Sequence, residues 1–235
     1  MNSPYLHTSI GGLRVLPKAY NIIGKMISLG QLSDWHNKII QEILTFITPQ
    51  QSNTTNILEI NPKGCSLLLK LNEKNSQLNL FGQEENPALY LSSKELIETL
   101  KVKTNDKIQM KPGSPLQIES PNHSMDAIIL TFGLRFIQPR QAFYREVQRV
   151  LKPNGKLLLL EIGRPKEYIL DVLSKHKKSF FLNKLSLLKQ NSRQLKFFPS
   201  GKELVAELYE NKFSQIHFES CSFGMTSFYE ARFVN

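Results

Sequence analysis

The stretch "DAIILTFGLRFIQPRQAFYREVQRVLKPNGKLLLLEI", residues 126–162, decides the fold. It begins with a strongly apolar strand over 126–134 and ends with a second strand over 156–163, apolar enough to be buried on both faces. Between them, residues 139–152 predict an amphipathic helix, and "PNG" at 153–155 predicts a turn. A helix that joins two buried strands indicates a parallel sheet.

The same alternation of strands and helices extends along the chain on both sides of this stretch. Upstream, the sequence predicts helices within 17–48, a polar linker at 49–56, a strand at 57–60, a helix at 65–75, a strand at 87–93 and a helix at 94–102. Downstream, it predicts a helix at 200–212 and a terminal hairpin from the alternating segments "QIHFESC" and "TSFYEARFV". We therefore expect a doubly wound α/β fold with a mostly parallel sheet and a C-terminal antiparallel hairpin.

The composition is that of a globular protein. Of 235 residues, 40% are hydrophobic and 21% are charged. Apolar runs such as "KLLLLEI" (156–162) are far shorter than the roughly 20 residues of a membrane span, and the N-terminus does not resemble a signal peptide. Two cysteines, Cys65 and Cys221, make neither a disulfide framework nor a four-ligand metal set, so we expect no metal and a cytoplasmic location.

The net charge of +10 points to an anionic partner. Seven Lys or Arg residues and no acid lie between Lys175 and Lys196, interleaved with "FFLNKLSLL". A solvated basic helix with one core face is one interpretation of this segment, and a helix resting on an anionic membrane surface is the other. Nucleic acid is not the expected partner, because no recognised binding motif is present.

Ligands of doubly wound sheets bind at the carboxyl ends of the strands. The segments expected at those ends are Glu59 to Ser66, Tyr90 to Ser92, Gly113 with Ser114, Phe132 to Phe136 and Glu161 to Arg164. We therefore look for the functional residues among these side chains and backbone turns.

Three segments resemble the UbiE/MenG family of quinone C-methyltransferases. The segment 125–165 is similar to a family pattern of a strand ending in FGLRN, a helix, "VLKPGG" and a further strand. Upstream, "AYNIIGKMISLGQLSDW" (19–35) resembles "YDLMNxxxSxGxxRxW", and downstream, "LKFFPSGKELVAELYENKF" (195–213) resembles "FPxxxxLxxMxxxAGF". The order and spacing match from about residue 17 to the end of the chain.

This resemblance implies a class I, Rossmann-like methyltransferase fold that binds S-adenosylmethionine. It implies a polyprenylated demethylmenaquinone or benzoquinol as substrate and methyl transfer to a ring carbon. Residues 1–50 would be a helical segment that covers the substrate, and 51–235 the methyltransferase-like domain. The lipid-embedded tail of such a substrate would account for the positive charge through peripheral contact with the membrane.

The resemblance also nominates site residues. The family loop D-x-A-G-G-T-G-D corresponds here to residues 59–66, where Glu59 keeps the leading carboxylate and Gly64 keeps one glycine. An acid after the second strand grips the ribose hydroxyls in the family, and the matching residues here are Tyr90 and Ser92. Gly113 and Ser114 match an Asp near the adenine. Arg135 in "FGLRF" is the expected catalytic residue, because it is the polar group kept near the reaction centre.

These assignments compete with plainer ones. The plainer assignment for Glu59 is a strand-end acid paired with a lysine. For Arg135 it is a strand-end cap or a partner of Glu161, and for Tyr90 it is a core or rim residue. Because the cofactor positions depart from the family pattern, two other functions stay open. One is a non-catalytic methyltransferase-like protein that binds a quinone or a partner protein, and the other is a basic nucleic-acid-binding module.

Overall fold

The computed structural model describes residues 32–47, 55–104, 107–162, 198–199, 201–221 and 226–234. The helices are α1 (Leu32–Phe46), α2 (Ser66–Lys74), α3 (Pro87–Thr104), α4 (Arg140–Val150) and α5 (Lys202–Glu210), with a 3-10 turn at Leu134–Phe136. The strands are β1 (Asn56–Ile60), β2 (Asn79–Glu84), β3 (Ile108–Pro112), β4 (Met125–Thr131), β5 (Leu151–Ile162), β6 (Phe213–Cys221) and β7 (Thr226–Phe233).

The seven strands form a single sheet in the order β3-β2-β1-β4-β5-β7-β6. Strands β1 to β5 pair in parallel, and β7 pairs antiparallel with both β5 and β6. The expected parallel sheet and terminal hairpin are therefore confirmed. The strand order reverses between β1 and β4, and ligands of open α/β sheets bind beside such a switch point.

Successive residues of the central strands point to opposite faces, so each strand contributes to two cores. Ile57, Ile129 and Leu158 lie in the core covered by α1 and α2, whereas Leu58 and Ile128 lie in the core covered by α4 and α5. The central strands have both faces buried, which explains the uninterrupted apolar runs in their sequences.

The predicted strand at 87–93 is wrong, because these residues form the first turns of α3. The backbone N–H groups of Ala88 and Leu89 donate to the Asn86 side-chain oxygen at 3.0 and 3.1 Å. Asn at the N-cap followed by Pro87 in the first turn is a strong helix-start signal, and it outweighs the apolar alternation of "ALYL". The second strand is instead β2, and β3 was also not predicted.

The other predicted elements near the sheet are confirmed within a few residues, namely the strands at 57–60, 126–134 and 156–163 and the helices at 65–75, 139–152 and 200–212. Of the helices predicted within 17–48, α1 is observed and 17–31 lies outside the described residues. The basic segment 175–196 lies outside them as well. Within the described part of the chain, the structure has no helix of the length and apolarity needed to cross a membrane.

Candidate functional site

The site is built at the carboxyl edge of the sheet, where β1, β2, β3 and β4 end side by side. Glu59 is the penultimate residue of β1, and it is paired in register with Gly82 of β2 and Ile129 of β4. Gly113 follows β3, and Arg135 follows β4. The parallel register therefore brings the segments predicted around Glu59, Gly113 and Arg135 to one edge of the molecule, as expected.

The loop between β1 and α2 turns sharply through left-handed backbone conformations. Asn61, Lys63 and Cys65 have φ of 52°, 47° and 58°, which non-glycine residues rarely adopt. Gly64 has φ of 106°, a value that favours glycine because it has no Cβ. The Asn61 N–H donates to the Gln83 carbonyl at 2.7 Å, and the Asn61 side-chain oxygen accepts from Glu85 N–H at 3.0 Å. The loop is thus held against the end of β2.

Glu59 is buried at the centre of this edge, with 2% of its surface exposed. Among the residues that the structure describes, its Oε2 has no hydrogen-bond partner. Burial raises the pKa of Glu59 to about 8, nearby Lys63 opposes the rise, and nearby Glu84 adds to it. A buried carboxylate oxygen without a partner is costly unless a ligand satisfies it, so this atom marks a place for a cationic or donor group.

Glu84 is the functional candidate that the sequence analysis missed. It ends β2 and is 2% exposed, and its carboxylate accepts from the N–H groups of Lys63 at 3.2 Å and Asn86 at 3.0 Å. Burial raises its pKa, and these two N–H donors lower it. The expectation that Tyr90 and Ser92 stand at the end of the second strand, in place of the family's acid, is therefore incorrect, because Glu84 occupies that strand end. In the sequence, the apolar residues before "EEN" (84–86) could have indicated a strand that ends in this acid.

Tyr90 and Ser92 do not end a strand. Both lie in α3, where the Ser92 hydroxyl donates to the Leu89 carbonyl at 3.1 Å and the Tyr90 N–H donates to the Asn86 carbonyl at 2.8 Å. Tyr90 is half-buried. Their expected place after the second strand belongs to Glu84, and a contact with the cofactor stays a prediction for both residues.

Gly113 and Ser114 lie at the carboxyl edge of the sheet, as expected, and the structure places them next to the end of β2. The Gly113 N–H donates to the Glu84 carbonyl at 3.1 Å, and the Ser114 hydroxyl lies 3.5 Å from a carboxylate oxygen of Glu85. A Cβ on Gly113 would come within 2.9 Å of Gln83 Nε2. Gln83 needs that space, because its Nε2 donates to the Ser114 carbonyl at 2.8 Å and its Oε1 accepts from Glu119 N–H at 2.7 Å.

Arg135 is 6% exposed and pairs with Glu161 at the end of β5. Its Nη2 and Nε donate to Glu161 Oε2 at 2.9 and 3.2 Å, while Glu161 Oε1 accepts from Leu134 N–H at 2.7 Å. The guanidinium carbon also lies 5.0 Å from the centre of the Phe198 ring. These contacts correspond to the plainer assignment, a buried ion pair. The catalytic role of Arg135 stays a prediction.

The residues at this edge fit S-adenosylmethionine. Glu59 offers an unpaired carboxylate oxygen, which suits the ammonium of the cofactor's amino-acid end. Glu84 offers a carboxylate at the end of the neighbouring strand, which suits hydroxyl groups, and Gly64 lets the backbone of the loop approach a ligand closely.

Comparison with known proteins matches this chain to a methyltransferase family. The model of the ubiE/COQ5 methyltransferase family matches residues 13–232. The "Ubiquinone/menaquinone biosynthesis C-methyltransferase UbiE" of Rickettsia bellii is 23% identical over 90% of this chain and 87% of that protein. The "Demethylmenaquinone methyltransferase" of Corynebacterium glutamicum is 27% identical over 51% of this chain, and the match spans about half of that protein, 55%.

Solved structures show the same fold at low sequence identity. A SAM-dependent methyltransferase from Aquifex aeolicus has a TM-score of 0.59 and 13% identity, with 83% of this chain and 89% of that chain covered. The DszA carbon methyltransferase has a TM-score of 0.67 and 14% identity, with 93% and 59% covered. These comparisons support neither the non-catalytic nor the nucleic-acid alternative. They confirm the class I fold, the methyltransferase class and the expected cofactor, and the chain belongs to the ubiE/COQ5 methyltransferase family.

Proposed function

We propose that this protein is an S-adenosylmethionine-dependent C-methyltransferase that acts on a polyprenylated quinol of menaquinone or ubiquinone biosynthesis. The observation that carries the proposal is the pair of buried carboxylates, Glu59 and Glu84, at the ends of adjacent parallel strands. In a chain of this family, this pair supplies the two charged anchors that the cofactor's ammonium and ribose hydroxyls need. The family membership and the names of the relatives support the quinol substrate.

The chemistry asks little of the protein beyond positioning. When bound, the cofactor supplies an electrophilic sulfonium methyl group, and the nucleophile is an electron-rich ring carbon of the quinol. Holding the two reactants in line would remove much of the entropic barrier. Loss of a ring hydroxyl proton would make the ring carbon more nucleophilic, and the methylated carbon would then lose its own hydrogen as a proton while the oxygen is protonated again, which restores the aromatic ring. The closed Arg135–Glu161 pair lies at the same edge and would hold the end of β4 rigid beside the reactants.

Methyl transfer and cofactor binding test this proposal together. Purified protein should transfer a labelled methyl group from S-adenosylmethionine to a short-chain demethylmenaquinol. Calorimetry should detect the binding of S-adenosylhomocysteine to the protein. Glu84→Gln should raise the cofactor dissociation constant about tenfold, because a neutral amide accepts weaker hydrogen bonds than a carboxylate. The matched control is Glu95→Gln, an exposed acid of α3, which should leave binding unchanged. Absence of cofactor binding by the starting protein would contradict the proposed function.

We also propose that the protein associates peripherally with anionic membranes. The net charge of +10 and the basic segment 175–196 support this proposal. Binding to vesicles with phosphatidylserine should weaken as salt increases, because screening reduces attraction between exposed charges. Replacement of Lys177, Lys178 and Lys184 by Ser should reduce it further. Vesicle binding that is absent, or unchanged by salt, would contradict this part of the proposal.

A further inference from the structure

Lys63 is a positive charge inside the candidate cofactor site. It stands where the family loop has a glycine-rich turn, and its backbone N–H donates to Glu84. Its ammonium nitrogen lies 3.3 Å from the carbonyl oxygen of Thr131 and 3.3 Å from that of Phe132, at the end of β4. The side chain therefore crosses the site from the loop after β1 to the end of the neighbouring strand.

The groups that face this ammonium form a binding site for a primary amine. The two carbonyl oxygens at the end of β4 accept from Nζ, and the buried carboxylate of Glu59 interacts with the charge without a hydrogen bond to Oε2. Phe132 has a φ of 51°, so the strand end turns sharply where these carbonyls are presented. Two carbonyls and a carboxylate provide acceptors and charge for one ammonium ion.

The amino-acid end of S-adenosylmethionine carries the same chemical group. Two ammonium ions cannot share one set of acceptors without repulsion, which is strong where water is excluded. We propose that Lys63 sets the affinity for the cofactor by occupying the ammonium subsite, so that its side chain must withdraw before the cofactor's amino-acid end binds there. Lys63 is half-buried and its four-carbon stem is flexible, so withdrawal toward solvent needs no change of the backbone.

This inference rests on the proposed function, because it assigns Lys63 a role toward the same cofactor. A substitution that removes the charge and keeps the length, Lys63→Met, should lower the dissociation constant of S-adenosylhomocysteine about tenfold in calorimetry. Lys63→Arg keeps a cation and should stay within about twofold of the starting protein. Lys74→Met, at the exposed end of α2, is the matched control for loss of one positive charge and should change nothing.

A second ligand separates the ammonium subsite from the rest of the site. Methylthioadenosine has the nucleoside of the cofactor and lacks the amino-acid end, so its affinity should be the same in the starting protein and in Lys63→Met. Equal gains for both ligands would overturn the inference, because the effect would then come from general loosening of the loop. Weaker S-adenosylhomocysteine binding in Lys63→Met would also overturn it, since lysine would then be a partner of the cofactor's carboxylate.

A measurement without ligand tests the interaction inside the protein. Among the described residues, the titratable groups that interact with Glu59 are Lys63, Glu84 and the Cys65 thiol. With isotope-labelled Glu, the Glu59 carboxyl should titrate at higher pH in Lys63→Met than in the starting protein, because the only one of these charges that favours the carboxylate is removed. An unchanged titration would overturn the inference. If neither the starting protein nor Lys63→Met binds S-adenosylhomocysteine, both the proposed function and the cofactor role of Lys63 are contradicted. If both proteins bind it with the same dissociation constant, only the role of Lys63 is contradicted.

Discussion

The two halves of the carboxyl edge of the sheet differ in how their carboxylates are paired. In the half formed by β4, β5 and their helices, the carboxylates are paired. The buried Glu161 accepts from Arg135 and from the Leu134 N–H, and the partly buried Glu207 accepts from Arg140 Nε at 2.6 Å and from the Tyr144 hydroxyl at 2.9 Å. In the half formed by β1 and β2, Glu59 has a carboxylate oxygen without a hydrogen-bond partner in the described part of the chain, and burial raises the pKa of both Glu59 and Glu84.

This difference separates charges that maintain the fold from charges that await a ligand. For a paired buried carboxylate, the free-energy cost of desolvation is offset by its partner within the protein. Removal of that carboxylate therefore leaves the partner's charge buried without a counter-charge. An unpaired one lowers stability by itself and becomes favourable when a donor or cation arrives. The following substitutions test whether the two halves differ as described, from the largest expected effect to the smallest.

The largest effect is expected in the paired half. Glu161→Ala should lower the free energy of unfolding by about 3–5 kcal/mol, because it leaves the buried Arg135 guanidinium and the Leu134 N–H without this acceptor. Urea denaturation followed by circular dichroism measures the change. The control is Glu219→Ala, which removes the half-exposed partner of Lys38 and should cost at most about 1 kcal/mol. Equal costs at the two sites would contradict the comparison.

A binding effect is expected in the open half. Glu59→Ala should raise the dissociation constant of S-adenosylhomocysteine about tenfold or more, because a charged partner is lost at a buried site. With a pKa of about 8, Glu59 is mostly protonated at pH 6 and ionised above pH 8, so binding by the starting protein should strengthen over this range. Calorimetry at several pH values should show that slope and its loss in Glu59→Ala.

Stability should respond to pH in the opposite sense. The pKa of Glu59 rises from 4.5 to about 8 on folding, so the folded chain holds a proton that the unfolded chain releases between these values. Its stabilising contribution is complete below about pH 4.5 and is lost as the pH rises toward 8. Glu59→Gln should remove this slope. A Glu59→Gln variant that keeps both pH dependences would show that another group is responsible.

The smallest effect is expected at α3. Ser92→Ala removes a hydroxyl that bonds only within its own helix among the described contacts, so stability should change by about 0.5 kcal/mol or less. If Ser92 contacts the cofactor as predicted, S-adenosylhomocysteine binding should weaken by a few-fold. Thr99→Ala is the matched control, since the exposed Thr99 hydroxyl likewise donates to a backbone carbonyl in the preceding turn of α3, that of Glu95. Identical binding in both variants would remove Ser92 from the site.

The prediction from sequence succeeded where burial imposes a pattern. The runs around Ile128 and Leu158 have to be apolar because both faces of these strands are covered, so β4 and β5 were recognisable in isolation. Gly113 and Ser114 were also placed at the correct edge. The prediction failed at 79–90 for two reasons. The strand in "LNLFGQEE" alternates weakly, and the apolar residues after Asn86-Pro87 led to a predicted strand where the helix start prevails in the structure.

The sequence by itself determined the α/β class, the parallel centre of the sheet, the antiparallel end and the family, because periodic burial and spaced motifs are properties of the linear chain. Only the tertiary structure decided which acid follows the second strand, that Arg135 is paired with Glu161, and that the ammonium of Lys63 reaches the end of β4. The physical reason is that these contacts join residues 26 and 68 positions apart, and neighbouring parallel strands alone set the distances between them.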